Sequence, residues 1–457
     1  MEMSRRYVII GGDAAGMSAA SQIRRLDPDA AIDVFERDNV VSYAQCGLPY
    51  YIGGLVPSAE RLVARTKQEF EEKYNIRVHL RHEATAVDPT AKIVAVTDLA
   101  TGDTRTVPYD KLLIATGARP ILPGWEGRDL AGVFPLKTLG DAERILADLR
   151  DRPVERVVII GGGYIGLEMA EAFHLLGKTV TVLDLAPQLA LTFDADMADL
   201  ARDALERHGI AVGLGEEVRR LEGEGGRVRA VVTNKNTYPA DLVLVAVGVV
   251  PNSELAREAG AELGPKGAIR VNDRMETSLP DVYAAGDCAT QFHRIKGADD
   301  FVPLGTHANK QGRVAGTNMT GGDARFAGIV GSAIMKVLDI AMGRTGLSSR
   351  EAEALGVPFE TVRIRSRAHA RYYPDNAELH VKLLFKRDDR RLLGGQIVGK
   401  AGVDKRVDVL ATALYHGMTI DELEALDLSY APPFNAVWDP LQQAATVAKK
   451  ADRRAER

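Results

Sequence analysis

The chain has 457 residues, too many for one ordinary domain, so two or three domains are expected. Its 46% hydrophobic and 26% charged content are those of a soluble globular protein, and a net charge of −5 argues against nucleic acid or an anionic membrane as partner. Two cysteines exclude a disulfide framework and point to a reducing compartment. With no signal-peptide-like apolar run at the start and no segment approaching the roughly 18 apolar residues of a membrane span, a cytoplasmic location is expected.

The first predicted strand is Tyr7-Val8-Ile9-Ile10, a short β-branched run that enters Gly11-Gly12-Asp13-Ala14-Ala15-Gly16 and a helical stretch from Met17 to Leu26. In a strand–turn–helix unit, glycines allow a tight turn and close approach of a pyrophosphate, which then rests on the unpaired N–H groups of the helix start. Asp13 replaces the middle glycine of that fingerprint and repels phosphate unless its side chain turns away. Asp33-Val34-Phe35-Glu36 ends the second strand on an acid placed to accept from ribose hydroxyls. A glycine-rich turn of some other α/β protein also fits these residues.

Shortly afterwards comes Ser42-Tyr43-Ala44-Gln45-Cys46-Gly47-Leu48-Pro49-Tyr50-Tyr51, with one cysteine and no second one nearby. Such a thiol must find its sulfur chemistry in a small-molecule thiol, a persulfide or an oxygen species. A helix starting at Gly47 is expected to lower the pKa of Cys46 below its free value of about 8.5.

The strand Lys111 to Ile114 closes on the turn Ala115-Thr116-Gly117. A second nucleotide unit follows: Val157-Val158-Ile159-Ile160, then Gly161-Gly162-Gly163-Tyr164-Ile165-Gly166, a helix through Leu176 and a strand ending at Asp184. All three fingerprint glycines are present here. Leu185-Ala186-Pro187-Gln188 offers no cation to a 2′-phosphate, so NADH is preferred, with NADPH possible. Val282 to Ala285 leads into Gly286-Asp287, where Asp287 can cap a helix from Ala289. Cys288 reads as a small buried residue sooner than as a redox partner of Cys46. Between Phe326 and Leu428, strands are expected at Thr361–Arg365, His380–Phe385 and Leu392–Val398, and a helix at Val407–His416. A further helix starts at Pro440 and runs into a charged tail. His293, His307 and His369 have no metal-ligand spacing, and no metal is expected.

Taken together, these motifs resemble the FAD-dependent pyridine nucleotide-disulfide oxidoreductases across essentially the whole chain. Most of their disulfide reductases carry Cys-x4-Cys, but Tyr51 stands in the second position here. The run around Cys46, with Ala368-His369-Ala370-Arg371-Tyr372-Tyr373-Pro374 and Ser429-Tyr430-Ala431-Pro432-Pro433-Phe434, is similar to the single-cysteine branch, the coenzyme A-disulfide reductases. The resemblance implies an α/β fold with two Rossmann-like dinucleotide-binding domains, for FAD and for an inserted NAD(P)H unit, plus a C-terminal α+β dimerisation domain. The implied boundaries are 1–118 with 250–325 for FAD, 119–249 for NAD(P)H and 326–457 for a homodimer interface.

Cofactor contacts are implied for Gly11, Gly12, Ala15, Gly16, Glu36, Ala115, Thr116, Gly117, Gly161, Gly163, Ile165, Gly166, Asp184, Gly248, Gly286 and Asp287. Catalysis is implied for Cys46, with Tyr372 and Tyr430 reaching the cysteine of the partner subunit. Ser18, Gln22, Arg25, Ser42, Gln45, Asn309 and Trp438 fall where the family holds coenzyme A. Ser18, Gln22 and Arg25 share one helical face, which fits a channel and an ordinary surface helix equally well. Trp438 replaces a lysine that some of these reductases carry, and Gln45 an asparagine.

The implied reaction passes electrons from NADH through FAD to Cys46 and reduces coenzyme A disulfide by way of a mixed disulfide. Reduction of persulfides or polysulfides is the alternative, weakened by the lack of the sulfurtransferase domain often appended to such relatives. An NADH oxidase or peroxidase is the third reading; those enzymes carry histidine where this chain has Ala14.

Overall fold

The computed structural model describes residues 5–455, with side chains described for residues 5–450. The readings made of residues 1–4 and of the end of the charged tail, 456–457, lie outside the described residues.

Two parallel sheets carry the nucleotide units. In the first, β1 (Arg6–Ile10), β2 (Ala31–Glu36), β3 (Arg77–Leu80), β4 (Lys111–Ile114) and a strand at Val282–Ala284 are all parallel strands, with β1 central between β4 and β2. Tyr7, Val8 and Ile9 are at most 1% exposed, because parallel strands covered on both faces need apolar side chains on both. Helix α1 (Ala14–Leu26) covers one face and packs on α2 (Gly305–Met319). That approach depends on Gly312, where a Cβ would sit 2.1 Å from the carbonyl oxygen of Ala15. Nothing larger than a hydrogen fits there.

The second sheet repeats the arrangement around β5 (Arg156–Ile160), which pairs in parallel with β6 (Thr179–Asp184) and β7 (Leu242–Val245), with helix α3 (Tyr164–Leu175) between the first two. The chain enters and leaves this unit through a short antiparallel pair, Ala118–Pro120 against Val249–Pro251.

The C-terminal unit is a five-stranded antiparallel sheet. Its strands are β8 (Ala333–Val337), β9 (Ile340–Gly346), β10 (Phe359–Arg367), β11 (Glu378–Lys386) and β12 (Leu392–Gly399), in the order β8-β9-β12-β11-β10. Helices α4 (Val403–Tyr415) and α5 (Pro440–Ala455) cover it, their apolar faces joining Leu379, Val381, Leu383 and Ile397 in one core. Met335, Val337 and Met342 instead join the core of the second nucleotide unit, so that unit and the sheet share apolar packing. The α/β fold with two Rossmann-type units and a C-terminal α+β unit is therefore as expected. Among the described residues, no helix is long and apolar enough to cross a membrane.

Candidate functional site

Each nucleotide turn is built by its own residues. Gly11 has a φ of +108°, and a Cβ there would lie 2.1 Å from the carbonyl of Ala115. The strand therefore turns tightly past the neighbouring strand's end, which only glycine permits. Glu36 Oε2 accepts from the N–H of Gly12 at 2.7 Å, and Oε1 from Asp38 N at 2.9 Å. Asp184 repeats this in the second unit, accepting from Gly162 N at 2.7 Å and Ala186 N at 2.8 Å. A carboxylate oxygen has two acceptor sites, so both acids keep capacity for a ribose hydroxyl. No side chain caps α1 or α3, which leaves their first N–H groups available to phosphate. The residues present fit two dinucleotides.

Thr116 and Gly117 are locked to the point where the chain returns from the second unit. Thr116 Oγ1 donates to the carbonyl of Asn252 at 2.5 Å, Asn252 Nδ2 donates to Thr116 O at 2.9 Å, and Asn252 N to Gly117 O at 2.9 Å. Ile121 N donates to Gly248 O at 2.9 Å, which places Gly248 on the same crossing. Gly286 N donates to Gln311 Oε1 of α2 at 3.0 Å.

Asp13 does turn away from the phosphate position. Its Oδ1 accepts from Tyr43 N at 3.1 Å and its Oδ2 from Gln45 Nε2 at 2.8 Å. The residue that breaks the fingerprint thus anchors the cysteine loop to the nucleotide turn. Burial pushes the Asp13 carboxyl up to about 6, against the pull of the Tyr43 N–H. Gln45 thus gives one amide N–H to Asp13 and keeps its Oε1 and second N–H for another partner. Ser42, with φ of +51°, donates its N–H to Gly12 O at 2.9 Å and so joins the same loop.

Cys46 lies exposed in the 3₁₀ turn Gln45–Gly47, which runs into the five-residue helix Leu48–Ile52. The expected lowering of its pKa is overturned. The thiol is raised, first by the protein packed around it and then by the charge of Glu168, with Lys137 opposing. A helix of little more than one turn has too small a dipole to offset burial and that charge. Glu168 projects from α3 to within 3.5 Å of the Tyr50 hydroxyl, and burial pushes its carboxyl up to about 7. Lys137, which sequence reasoning missed, donates to Asp287 at 2.9 Å, with both side chains less than a fifth exposed. It sits in the turn between the edge strand Val133–Pro135 of the second sheet and the helix Leu139–Asp151, where no motif marks it.

The helix expected after Asp287 is absent: the chain goes into the short strand Gln291–His293, so Asp287 is no N-cap. Cys288 is fully buried, its Sγ 3.4 Å from the carbonyls of Ile114 and Ala285. It forms no disulfide with Cys46. Burial lowers the pKa of His293 to about 4, and among the described residues no cluster could hold a metal.

Ser18, Gln22, Arg25 and Asn309 are brought together between α1 and α2. Ser18 Oγ donates to Asn309 Oδ1 at 2.7 Å, Gln22 Nε2 to Thr317 Oγ1 at 3.1 Å, and Arg25 to Gln22 Oε1 at 3.4 Å. The neighbouring Arg24 ties the helix end to the carbonyls of Tyr74, Pro28, Ala30 and Asn75.

The C-terminal tyrosines meet. The hydroxyls of Tyr372 and Tyr430 are 3.4 Å apart, and both rings stand in solvent. Beneath them Arg406, 1% exposed, ion-pairs with Asp439 at 3.0 Å and donates to Ala368 O, Gly402 O and Asn435 Oδ1. One guanidinium thus joins the two loops that carry the tyrosines. Trp438, on the second loop, is 59% exposed.

A chain with two such turns, a thiol beside the first and an antiparallel C-terminal sheet belongs to a known class. Residues 5–312 match the model of the pyridine nucleotide-disulphide oxidoreductases, and residues 332–440 match the dimerisation domain of the same enzymes. The protein belongs to this family of FAD- and NAD(P)H-dependent oxidoreductases. It is 42% identical over 450 residues to the NAD(P)H sulfur oxidoreductase (CoA-dependent) of Pyrococcus abyssi, covering 98% of this chain and 99% of the relative. It is 32% identical to a coenzyme A disulfide reductase of Staphylococcus aureus, covering 97% of this chain and 100% of that one. The structure of an NAD-dependent persulfide reductase from A. fulgidus superposes with a TM-score of 0.96 at 41% identity, covering 98% of this chain and 84% of that one.

Proposed function

We propose that the protein is an NAD(P)H-dependent reductase of sulfur–sulfur bonds carried on coenzyme A. A persulfide or polysulfide is the first substrate class, and coenzyme A disulfide the second. The resemblance in sequence motifs ranks these the other way. The order changes because the relatives with sulfur and persulfide names are more similar to this chain than the coenzyme A disulfide reductase is.

The observation that carries the proposal is the solitude of Cys46. The other cysteine is sealed in the core, so the thiol beside the first nucleotide turn can form a disulfide only with sulfur from outside. Cys46 Sγ, as thiolate, attacks the substrate S–S bond, forming a mixed disulfide and expelling one thiolate or hydrosulfide. FAD, held at the first nucleotide turn by Gly11, Gly12 and Glu36, would supply the electron pair of the nicotinamide hydride that reduces this mixed disulfide. Its S–S bond then breaks, Cys46 returns to thiolate and the second thiolate leaves. For a persulfide, NADH and one proton are consumed, and the products are the parent thiol, hydrogen sulfide and NAD+. Tyr372 and Tyr430 are the proposed O–H donors to departing thiolates. Lys137 is the cation that offsets negative charge around Cys46.

Mass spectrometry of the protein purified anaerobically tests this. A coenzyme A or sulfane adduct on Cys46 is expected; the coenzyme A adduct is common to both substrate classes, which kcat/KM with coenzyme A persulfide against coenzyme A disulfide separates. Sulfenic or sulfinic acid there, with no thiol adduct, would replace the proposal by the oxidase reading.

A further inference from the structure

The second nucleotide unit has its ribose acid at Asp184, and the residues that follow, Leu185 to Gln188, carry no cation. Tertiary structure brings one from much later in the chain. Lys235 lies in the hairpin turn between the strands Arg227–Thr233 and Thr237–Pro239. Its Nζ donates to Leu214 O at 3.0 Å and overhangs Gly215, where a Cβ would sit 3.4 Å from it. Leu214 is the register partner of Asp184 on the neighbouring parallel strand, Ala211–Leu214, and Gly215 N donates to Ala186 O at 2.9 Å. With strands about 4.8 Å apart, the ammonium lies within about 10 Å of the Asp184 backbone, at the same end of the sheet. Glu216 holds the hairpin there. Its N–H donates to Asp184 O at 3.0 Å, and its buried carboxylate accepts from Thr233 Oγ1 at 2.7 Å, the Tyr238 hydroxyl at 2.6 Å and Asn236 Nδ2 at 3.3 Å. Glu217, the next acid, is paired with Arg219 at 2.8 Å.

We propose that Lys235 is the specificity-determining residue that lets the second nucleotide unit accept the 2′-phosphate of NADPH. Asp184 keeps acceptor capacity for a ribose hydroxyl and repels a phosphate in its place. A phosphate monoester carries roughly 1.5–2 negative charges at neutral pH, and Lys235 is the exposed cation at that strand end which offsets the repulsion. Glu216 does not compete for this role, because its oxygens are taken by three neutral donors of the hairpin. One ammonium against one carboxylate leaves NADH the better coenzyme, and Lys235 narrows the gap. The inference concerns the coenzyme side and holds whichever sulfur species Cys46 meets.

The test uses the FAD-loaded full-length protein with its Lys235→Gln and Lys235→Arg variants. Calorimetry with adenosine 2′,5′-bisphosphate and with adenosine 5′-monophosphate isolates the 2′-phosphate as a ratio of two affinities. In Lys235→Gln that ratio should shift against the bisphosphate by about threefold to tenfold, the scale of one exposed ammonium acting on a phosphate. Lys235→Arg should keep the wild-type ratio within about twofold, since it keeps the charge. The same shift should appear between NADPH and NADH in the second-order rate of anaerobic flavin bleaching, a half-reaction that needs no sulfur substrate. An unchanged ratio in Lys235→Gln overturns the proposal. Equal weakening of both nucleotides overturns it too, because Lys235 would then be a prop for the strand end. So does a wild type that neither binds the bisphosphate measurably nor is reduced by NADPH.

Discussion

Asp13 illustrates how one side chain can break a motif without breaking the site. A carboxylate in the middle of a phosphate turn is unfavourable only when it faces the phosphate. Here it accepts from Tyr43 and Gln45 and holds the thiol loop in place. The thiol itself is tuned in the direction opposite to a free nucleophile. Burial and the charge of Glu168 both disfavour the thiolate, so its pKa lies above the ordinary thiol value and less thiolate is present at neutral pH. Alkylation of Cys46 by iodoacetamide should therefore rise with pH and reach half its maximal rate above that ordinary value. Glu168→Gln removes one of the raising charges and should move the midpoint down, with faster alkylation at neutral pH. An unchanged or higher midpoint would show that Glu168 does not act on the thiol.

At the scale of elements, the tyrosine loops depend on a buried ion pair. Arg406 projects from α4, and its guanidinium bridges the end of β10 and the start of α5. Burial pushes its pKa down while Asp439 holds it charged. Removing one partner leaves an unpaired buried charge, a loss of about 3–5 kcal/mol. Arg406→Leu should accordingly lower the midpoint of chemical denaturation by that stability. Asp439→Asn should do the same to a smaller degree, because the amide still accepts one hydrogen bond. A loss below about 1 kcal/mol for Arg406→Leu would mean the pair is dispensable to this packing. The two loops were visible in sequence only as tyrosine-bearing segments. Arg406 carried no signal, since one arginine in an amphipathic helix reads as a solvated face.

For the whole molecule, the dimerisation domain makes a two-fold homodimer the expected state, and the exposed Phe434, Val437 and Trp438 give the tyrosine face an apolar surface to bury. If Tyr372 and Tyr430 serve Cys46 of the partner subunit, complementation follows. Cys46→Ser and Tyr372→Phe/Tyr430→Phe homodimers should each be slow, the latter by roughly ten- to a hundredfold in thiol release. Mixed by co-expression, half the dimers would carry one intact site, restoring roughly one quarter of wild-type turnover. No recovery beyond the sum of the parents would place thiol and tyrosines of one site in the same subunit.

Local residue order was enough to reveal the two strand–turn–helix units, the acids at their strand ends and the solitary thiol. Each of these rests on steric and hydrogen-bonding rules that act within a few residues: glycine at a turn, apolar runs in covered strands, an acid at the end of the second strand. What tertiary structure alone decided involves partners far apart in the chain. Asp13 meets Gln45, Ser18 meets Asn309, Lys137 meets Asp287, and Arg406 gathers Ala368, Asn435 and Asp439. The sign of the Cys46 shift belongs to this second group. Charge and burial act through space, and the acid that most raises that thiol, Glu168, comes from the other nucleotide unit.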